Sequence, residues 1–402
     1  MNYSRQRMFD QSQLLNGHVT VIGQTKISEY LCAYLAAMGI GKISLIGEKN
    51  EETKPLQETI FELNPDVSVK ILQLPFHRAF VNTDSILVDT TNSLESKFKL
   101  KQFEKYLSAS SSTDSFIISP DFFHPLDSPQ GDYTSAMAAA ILVDEIRKQI
   151  FEEDINLNFL TYSLGSNPRF FSKLEYDNNV VLNSKRVLVV GAGGIGTYAC
   201  LNLIPLGAKI DLFDGDKIED HNLNRQIFYY NAIGENKAQV LAKRLKHLTR
   251  WSQLKPNKNY LDKKTLYNLP DYDCILSCVD NWETRKILSK YALITETSLI
   301  NASVTAYTAS LEIYVPGLTS CLECRHDFDR LMQTETAPAS CSNIANSNIV
   351  STNAFIGAMM AAEFKALSSP QIYPQIYNYE FLYDSQSNHK FAQIPIEARC
   401  VH

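Results

Sequence analysis

The chain of 402 residues has no uninterrupted apolar run of the ~18 residues that a membrane-spanning helix requires. Its first stretch, MNYSRQRMFDQSQ, is polar and lacks the apolar core of a secretion signal. No block of basic residues is present. The 38 Lys and Arg stand against 44 Asp and Glu, a net charge of −6, which gives nucleic-acid binding little support. Trp occurs only 2 times beside 20 Tyr and 20 Phe, and the aromatics form no stacking stripe. The 8 cysteines include a single Cys-x-x-Cys pair. That usage points to a reducing, cytoplasmic setting and a metal rather than to a disulfide framework. What remains is a globular composition, 45% apolar and 20% charged, long enough for two or three domains.

Within that frame the most informative stretch is 187–237. Val187–Val190 is a short β-branched run that reads as a buried parallel strand. Gly191-Ala192-Gly193-Gly194-Ile195-Gly196 follows at once. A glycine loop between strand and helix sets bare N–H groups and a helix N-terminus against a phosphate chain. Ile210–Phe213 is a second strand, ended by Asp214-Gly215-Asp216. An acidic residue about 20 residues past the glycines suits a ribose hydroxyl.

Those features alone serve a nicotinamide enzyme as well. The next ones favour three phosphates, whose charge needs cations. Asn222, Asn224, Arg225 and Gln226 cluster just past the ribose position, and Lys237 follows. Asp280 ends the apolar run Cys274–Val279. Open α/β sheets bind ligands at the C-terminal ends of their strands, and a carboxylate there can hold Mg²⁺.

The chain also repeats itself. His18–Gly23 matches Arg186–Gly191, Cys32–Gly39 matches Cys200–Gly207, and Ser85–Lys97 matches Cys274–Lys286. Near the end of each copy comes an Ala-rich helix pattern, Ser135–Lys148 and Gly357–Leu367. The reading is two copies of one α/β module, 1–153 and 154–402, with a strand at Asn156–Tyr162 in the join. The first copy has lost three of the four loop glycines, has Gly47 where Asp214 should stand, and has Thr91 where Asp280 should stand. It is expected not to bind a nucleotide. The tail Tyr373–Tyr383 reads as a strand pair covering the sheet edge. Cys32, Cys200, Cys274 and Cys278 read as packing residues, and His221 and His247 as surface residues.

GAGGIG, DGD, NLNRQ, GENKA and VDNWETR, in this order and spacing, resemble the ubiquitin-activating, molybdopterin- and thiamine-type (ThiF/MoeB/HesA) adenylyltransferase family over roughly residues 180–402. The resemblance implies ATP-dependent adenylation of a carboxylate, usually the C-terminal glycine of a ubiquitin-like protein. The alternative is the carboxylate of a small ribosomal peptide. A non-catalytic scaffold would not need Arg225, Lys237 and Asp280. Gly191, Gly193, Gly194, Gly196, Asp214 and Asp216 would bind nucleotide, with Asn222, Arg225, Gln226 and Lys237 on phosphates and Asp280 on Mg²⁺.

Tyr3-Ser4-Arg5-Gln6 resembles the family's YxRQ segment, whose arginine reaches the partner half's ATP phosphates. The lead-in to the second copy, Asn167–Phe171, has no such segment. That complementary loss implies a fused inactive–active pseudodimer, with further homodimerisation left open. Cys321 and Cys324 form a two-thiolate zinc clip. The family closes that site with a second pair at its end; here Cys400 fits one place, and the fourth ligand stays open, with His402 as the candidate. Cys341, after the Pro338 loop, matches the cysteine that takes the modifier as a thioester, and a conjugating enzyme would then accept it. Cys341-Ser342 departs from the family's Cys-Thr, and no large cysteine-domain insertion is present.

Overall fold

The computed structural model describes residues 1–47, 53–73, 82, 84–91, 103–126, 129–153, 157, 159–166, 168–171, 182, 184–248, 253–336, 347–369, 379–387, 389–395 and 400. Cys341, Pro338, His402, and residues 373–378 of the aromatic tail lie outside them.

The first module runs α1 (Gln11–Asn16), β1 (His18–Ile22), α2 (Lys26–Met38), β2 (Lys42–Gly47), α3 (Thr53–Leu63), β3 (Ser68–Gln73), β4 (Ile86–Asp89), β5 (Tyr106–Ser111), β6 (Ser115–Ser119), α4 (Asp132–Ile150) and β7 (Leu160–Ser163). Its sheet has the order β3-β2-β1-β4-β5-β6-β7. The first five strands in that order are parallel, and β6 and β7 pair antiparallel. The strand expected in the join thus pairs with the first sheet, because β6 offers an open edge and all of Leu160–Ser163 is buried against it.

The second module repeats the plan with β8 (Arg186–Val190), α5 (Gly194–Leu203), β9 (Lys209–Phe213), α6 (Lys237–Leu245), β10 (Gln253–Asn257), α7 (Lys263–Leu266), β11 (Cys274–Ser277), α8 (Trp282–Ile294), β12 (Ser298–Val304) and β13 (Thr308–Tyr314). Then follow α9 (Leu322–Arg325), α10 (Phe328–Thr336), α11 (Val350–Leu367), β14 (Tyr379–Asp384) and β15 (Lys390–Pro395). The sheet order is β10-β9-β8-β11-β12-β13-β14-β15, the same doubly wound core with a β14–β15 hairpin at its edge. The central strands are apolar because helices cover both faces. Val187, Leu188 and Val189 are fully buried.

The two modules share one core. Helix α11 packs on both α5 and α4, and α2 packs on α4. Small side chains let these helices approach closely, and Ala136–Ala140 and Ala361–Ala362 are buried. Tyr34 meets Tyr198 edge to face across the seam at 5.5 Å. Cys32 and Cys200 lie in this core, and burial pushes both thiols up to about 12, as suits inert packing residues. Buried ion pairs also cross the seam. Lys365 bonds Asp114 at 2.5 Å, and Arg169, whose carbonyl accepts from the Ser163 N–H of β7 in the first sheet, bonds Glu363 at 2.5 Å. Glu145 accepts from Lys148 at 2.8 Å and bonds His389, which in turn bonds the Tyr383 hydroxyl at 2.7 Å.

Removing one partner of such a pair leaves an uncompensated buried charge, at a cost on the order of 3–5 kcal/mol. Arg169→Met should therefore lower the denaturant midpoint strongly, and adding Glu363→Leu should recover much of the loss. A single variant as stable as wild type would show that this pair does not hold the modules together.

Candidate active site

The glycine loop is shaped by three separate demands. Gly191 sits at φ +98°, where a side chain is strained, and its N–H donates to the Phe213 carbonyl at 2.8 Å. At Gly196 a side-chain carbon would collide with the Gly191 carbonyl, and at Gly194 it would collide with Asn353. At Gly193 it would meet nothing within 4 Å, so this residue faces open space at the start of α5.

Asp214 is buried behind the loop. One carboxylate oxygen accepts from the Ala192 N–H at 2.6 Å and the other from the Asp216 N–H at 2.7 Å. Burial raises its pKa despite these amides and the Lys237 charge. The GENK segment fastens to the same strand end. Asn236 caps α6 through Gln239 N–H and donates to the Asp214 and Asp216 carbonyls at 2.9 and 3.1 Å. Lys237 is thereby placed with its ammonium 2.9 Å from the Asp216 carboxylate, which also accepts from the Tyr260 hydroxyl.

The NLNRQ segment forms the opposite wall. The Asn222 side-chain oxygen takes the Glu219 N–H at 2.9 Å and closes a capping box. Arg225 is 7% exposed and donates to the His221 carbonyl at 2.6 Å, while its Nε has no partner among the described residues. Burial, then the Arg5 charge, lowers its pKa to about 10, so it remains a cation at neutral pH. Gln226 Oε1 is likewise buried without a partner among the described residues. Asp280 is exposed at the end of β11, and its charge partly offsets the burial of Arg225.

A cavity of about 790 Å³ joins these parts. Every nucleotide-site residue expected from the sequence lines it except Gly196, which buttresses the loop from behind. Arg5 lines it too, from the first module. The turn Ser4–Gln6 carries Arg5 across the seam. The Gln6 amide donates to the Met38 carbonyl at 2.9 Å and accepts from Asn224 at 3.4 Å. Arg169 of the second lead-in points instead into the seam, against Glu363. His221, expected on the surface, lines the cavity as well.

The corresponding corner of the first module is filled. Gln24 packs over Gly47, Thr90 and Thr91 crowd Gly23, and Thr25 donates to Thr90 at 2.9 Å. Tyr260, Asn348 and Asn353 also line the cavity and escaped the sequence reading. Trp282 and Arg285 line it too, and lie in the VDNWETR motif, which by itself assigned them no role. Asn353 left one signal, a polar residue inside the buried run of α11. Tyr260 left none, since a loop tyrosine has no pattern.

The sulfurs of Cys321, Cys324 and Cys400 all lie within 4.8 Å of one another. Cys321 and Cys324 are 3.8 Å apart, close to the edge of about 3.8 Å for a tetrahedron with Zn–S bonds of about 2.3 Å. The donor set therefore fits a structural zinc ion. His402, the other residue read as a ligand, lies outside the described residues.

The doubly wound modules define an α/β protein of Rossmann-like fold, with the glycine-loop cavity at the strand ends where such sheets take ligands. The ThiF family model matches residues 166–400, more than half of the chain, and the chain belongs to that family. It is 34% identical over 134 residues to "Adenylyltransferase and sulfurtransferase uba4" of Aspergillus niger, covering 33% of this chain and 28% of that protein. It is 27% identical over 186 residues to "Adenylyltransferase and sulfurtransferase MOCS3" of Drosophila ananassae, covering 45% and 40%. Over 152 residues it is 30% identical to "Ubiquitin-activating enzyme E1-like" of Saccharomyces cerevisiae, covering 37% and 24%. The chain spans less than half the length of these relatives. A structure of E. coli MccB with ATP shares 23% identity over 55% of this chain and 66% of that one, with a TM-score of 0.46.

The glycines separate by measurement. Gly196→Ala should lose about 1–3 kcal/mol, because its methyl group is forced against a carbonyl. Gly193→Ala should melt with the wild type. Equal melting temperatures for both variants would contradict this geometry.

Proposed function

We propose that the chain adenylates the C-terminal carboxylate of a ubiquitin-like protein with Mg-ATP. The single observation that carries this is the cavity in which Arg5 of one module meets Arg225, Lys237 and Asp280 of the other. The open face at Gly193 admits phosphates, and the α5 N-terminus points positive charge at them. Asp214 and Asp216 face the ribose end. Arg225, Lys237 and Arg5 neutralise the phosphates, and Asn222 and Gln226 line their path. Asp280 would hold Mg²⁺, which offsets charge on the leaving phosphates when bound.

The substrate carboxylate oxygen attacks the α-phosphorus, the bond to the bridging oxygen breaks, and pyrophosphate leaves. An acyl-adenylate results. The carboxylate is already ionised, so no general base is needed, and catalysis is positioning and charge neutralisation. The Cys341 thiolate then attacks the acyl carbon, and AMP leaves as the thioester forms. A conjugating enzyme would accept the acyl group from that thioester.

The filled corner of the first module supports an inactive half whose contributions are Arg5 and the seam. We place a structural zinc ion on Cys321, Cys324 and Cys400, with His402 as the fourth ligand. Among the described residues no helix is long and apolar enough to cross a membrane, and the cysteine usage suits the cytoplasm.

Arg5→Ala should slow adenylate formation by roughly a hundredfold or more, the effect of losing one preorganised charge, with little change in melting temperature. Cys341→Ala should leave ATP–pyrophosphate exchange intact yet yield no reductant-sensitive conjugate on a gel. Exchange supported by a short peptide but by no ubiquitin-like protein would replace the substrate class and keep the chemistry.

Metal analysis should find about one zinc per chain. Cys321→Ser should release it and lower the melting temperature. A folded, active protein without zinc would remove that assignment.

A further inference from the structure

We infer that Asn348 and Asn353 are positioning residues that hold Arg5 over the nucleotide site, an inference that rests on the adenylation reading above. The Asn348 N–H donates to the Arg5 carbonyl at 2.9 Å. The Asn348 side-chain oxygen accepts from Asn353 Nδ2, which also donates to the Ile349 carbonyl at 2.5 Å. Asn353 is fully buried and lies directly against Gly194, so only glycine fits there. Backbone and side-chain contacts thus run without a gap from Arg5 through Asn348 and Asn353 to the glycine loop.

Two physical points make this bracket more than packing. Arg5 and Arg225 are like charges lining one cavity, and the Arg5 charge weighs against the Arg225 cation. The turn that carries Arg5 is three residues long, and Gln6 beside it is tied to the Met38 carbonyl and to Asn224. A bond to the Arg5 backbone from the second module adds a restraint on Arg5 itself. Second, a buried amide is costly unless it is hydrogen-bonded. Asn353 stands among Val350, Ala354, Phe355 and Ile356, where an apolar residue would pack at less cost. Its Nδ2 bonds hold Asn348 in place, and Asn348 holds Arg5.

Binding of Mg-ATP and of AMP to the full chain tests this without knowledge of the acyl substrate. Arg5→Ala should weaken ATP binding and spare AMP, which lacks the outer phosphates. Asn353→Ala should weaken ATP by roughly three- to tenfold, the effect of about one hydrogen bond, and also spare AMP. In the Arg5→Ala background it should add nothing, because it acts through Arg5. Asn348→Ala, which removes only the acceptor, should show the same pattern and carries the test if Asn353→Ala fails to fold. Equal weakening of ATP and AMP, or a full additional loss in the double variant, would overturn the inference while leaving the adenylation reading intact. A wild-type chain that binds no Mg-ATP would remove both.

Discussion

The structure depends on a like-charge pair held in place. Arg5 and Arg225 come from different modules and line one cavity, where burial and then the Arg5 charge weigh against the Arg225 cation. On the proposed function, an incoming polyphosphate would offset both charges. The pair stands only if the elements presenting the two guanidinium groups cannot drift apart. The shared helical core of α2, α4, α5 and α11 provides that rigidity, and the N-terminal turn is pinned to both modules.

The seam is therefore part of the site's machinery. It is apolar where helices meet through alanines and charged at its borders, where Asp114, Glu145 and Glu363 each find a cation from the other module or from their own helix. Buried ion pairs contribute little net stability. They do penalise any other register of the two modules, since a shift would leave a charge buried alone. Tyr383, His389 and Glu145 tie the edge hairpin of the second sheet to α4 of the first in the same way.

Much of this was legible from the chain because it is written in local patterns. β-branched runs ending in glycine mark β1 and β8, and the decayed loop at Gly23–Ser28 explains the filled corner that Gln24 and Thr90 occupy. The NLNRQ, GENK and DGD motifs fold onto one another through Asn236 and Asp214, so their order in the sequence already describes a site. What was not legible depends on long-range packing. The strand Leu160–Ser163 joins the first sheet because β6 offers an edge, which no periodicity reveals. Asn348, Asn353 and Tyr260 become site residues only once α11 and the loop after β10 are brought to the cavity.

On the proposed function one chain completes its own site, with Arg5 serving the cavity of the second module beside it. Mixing Arg5→Ala chains with Asp280→Ala chains tests it most directly, since each mixture partner keeps what the other lacks. Adenylation should stay at the level of the two variants alone. Recovery of exchange activity on mixing would show that the arginine passes between chains, and would contradict the pseudodimer as the working unit.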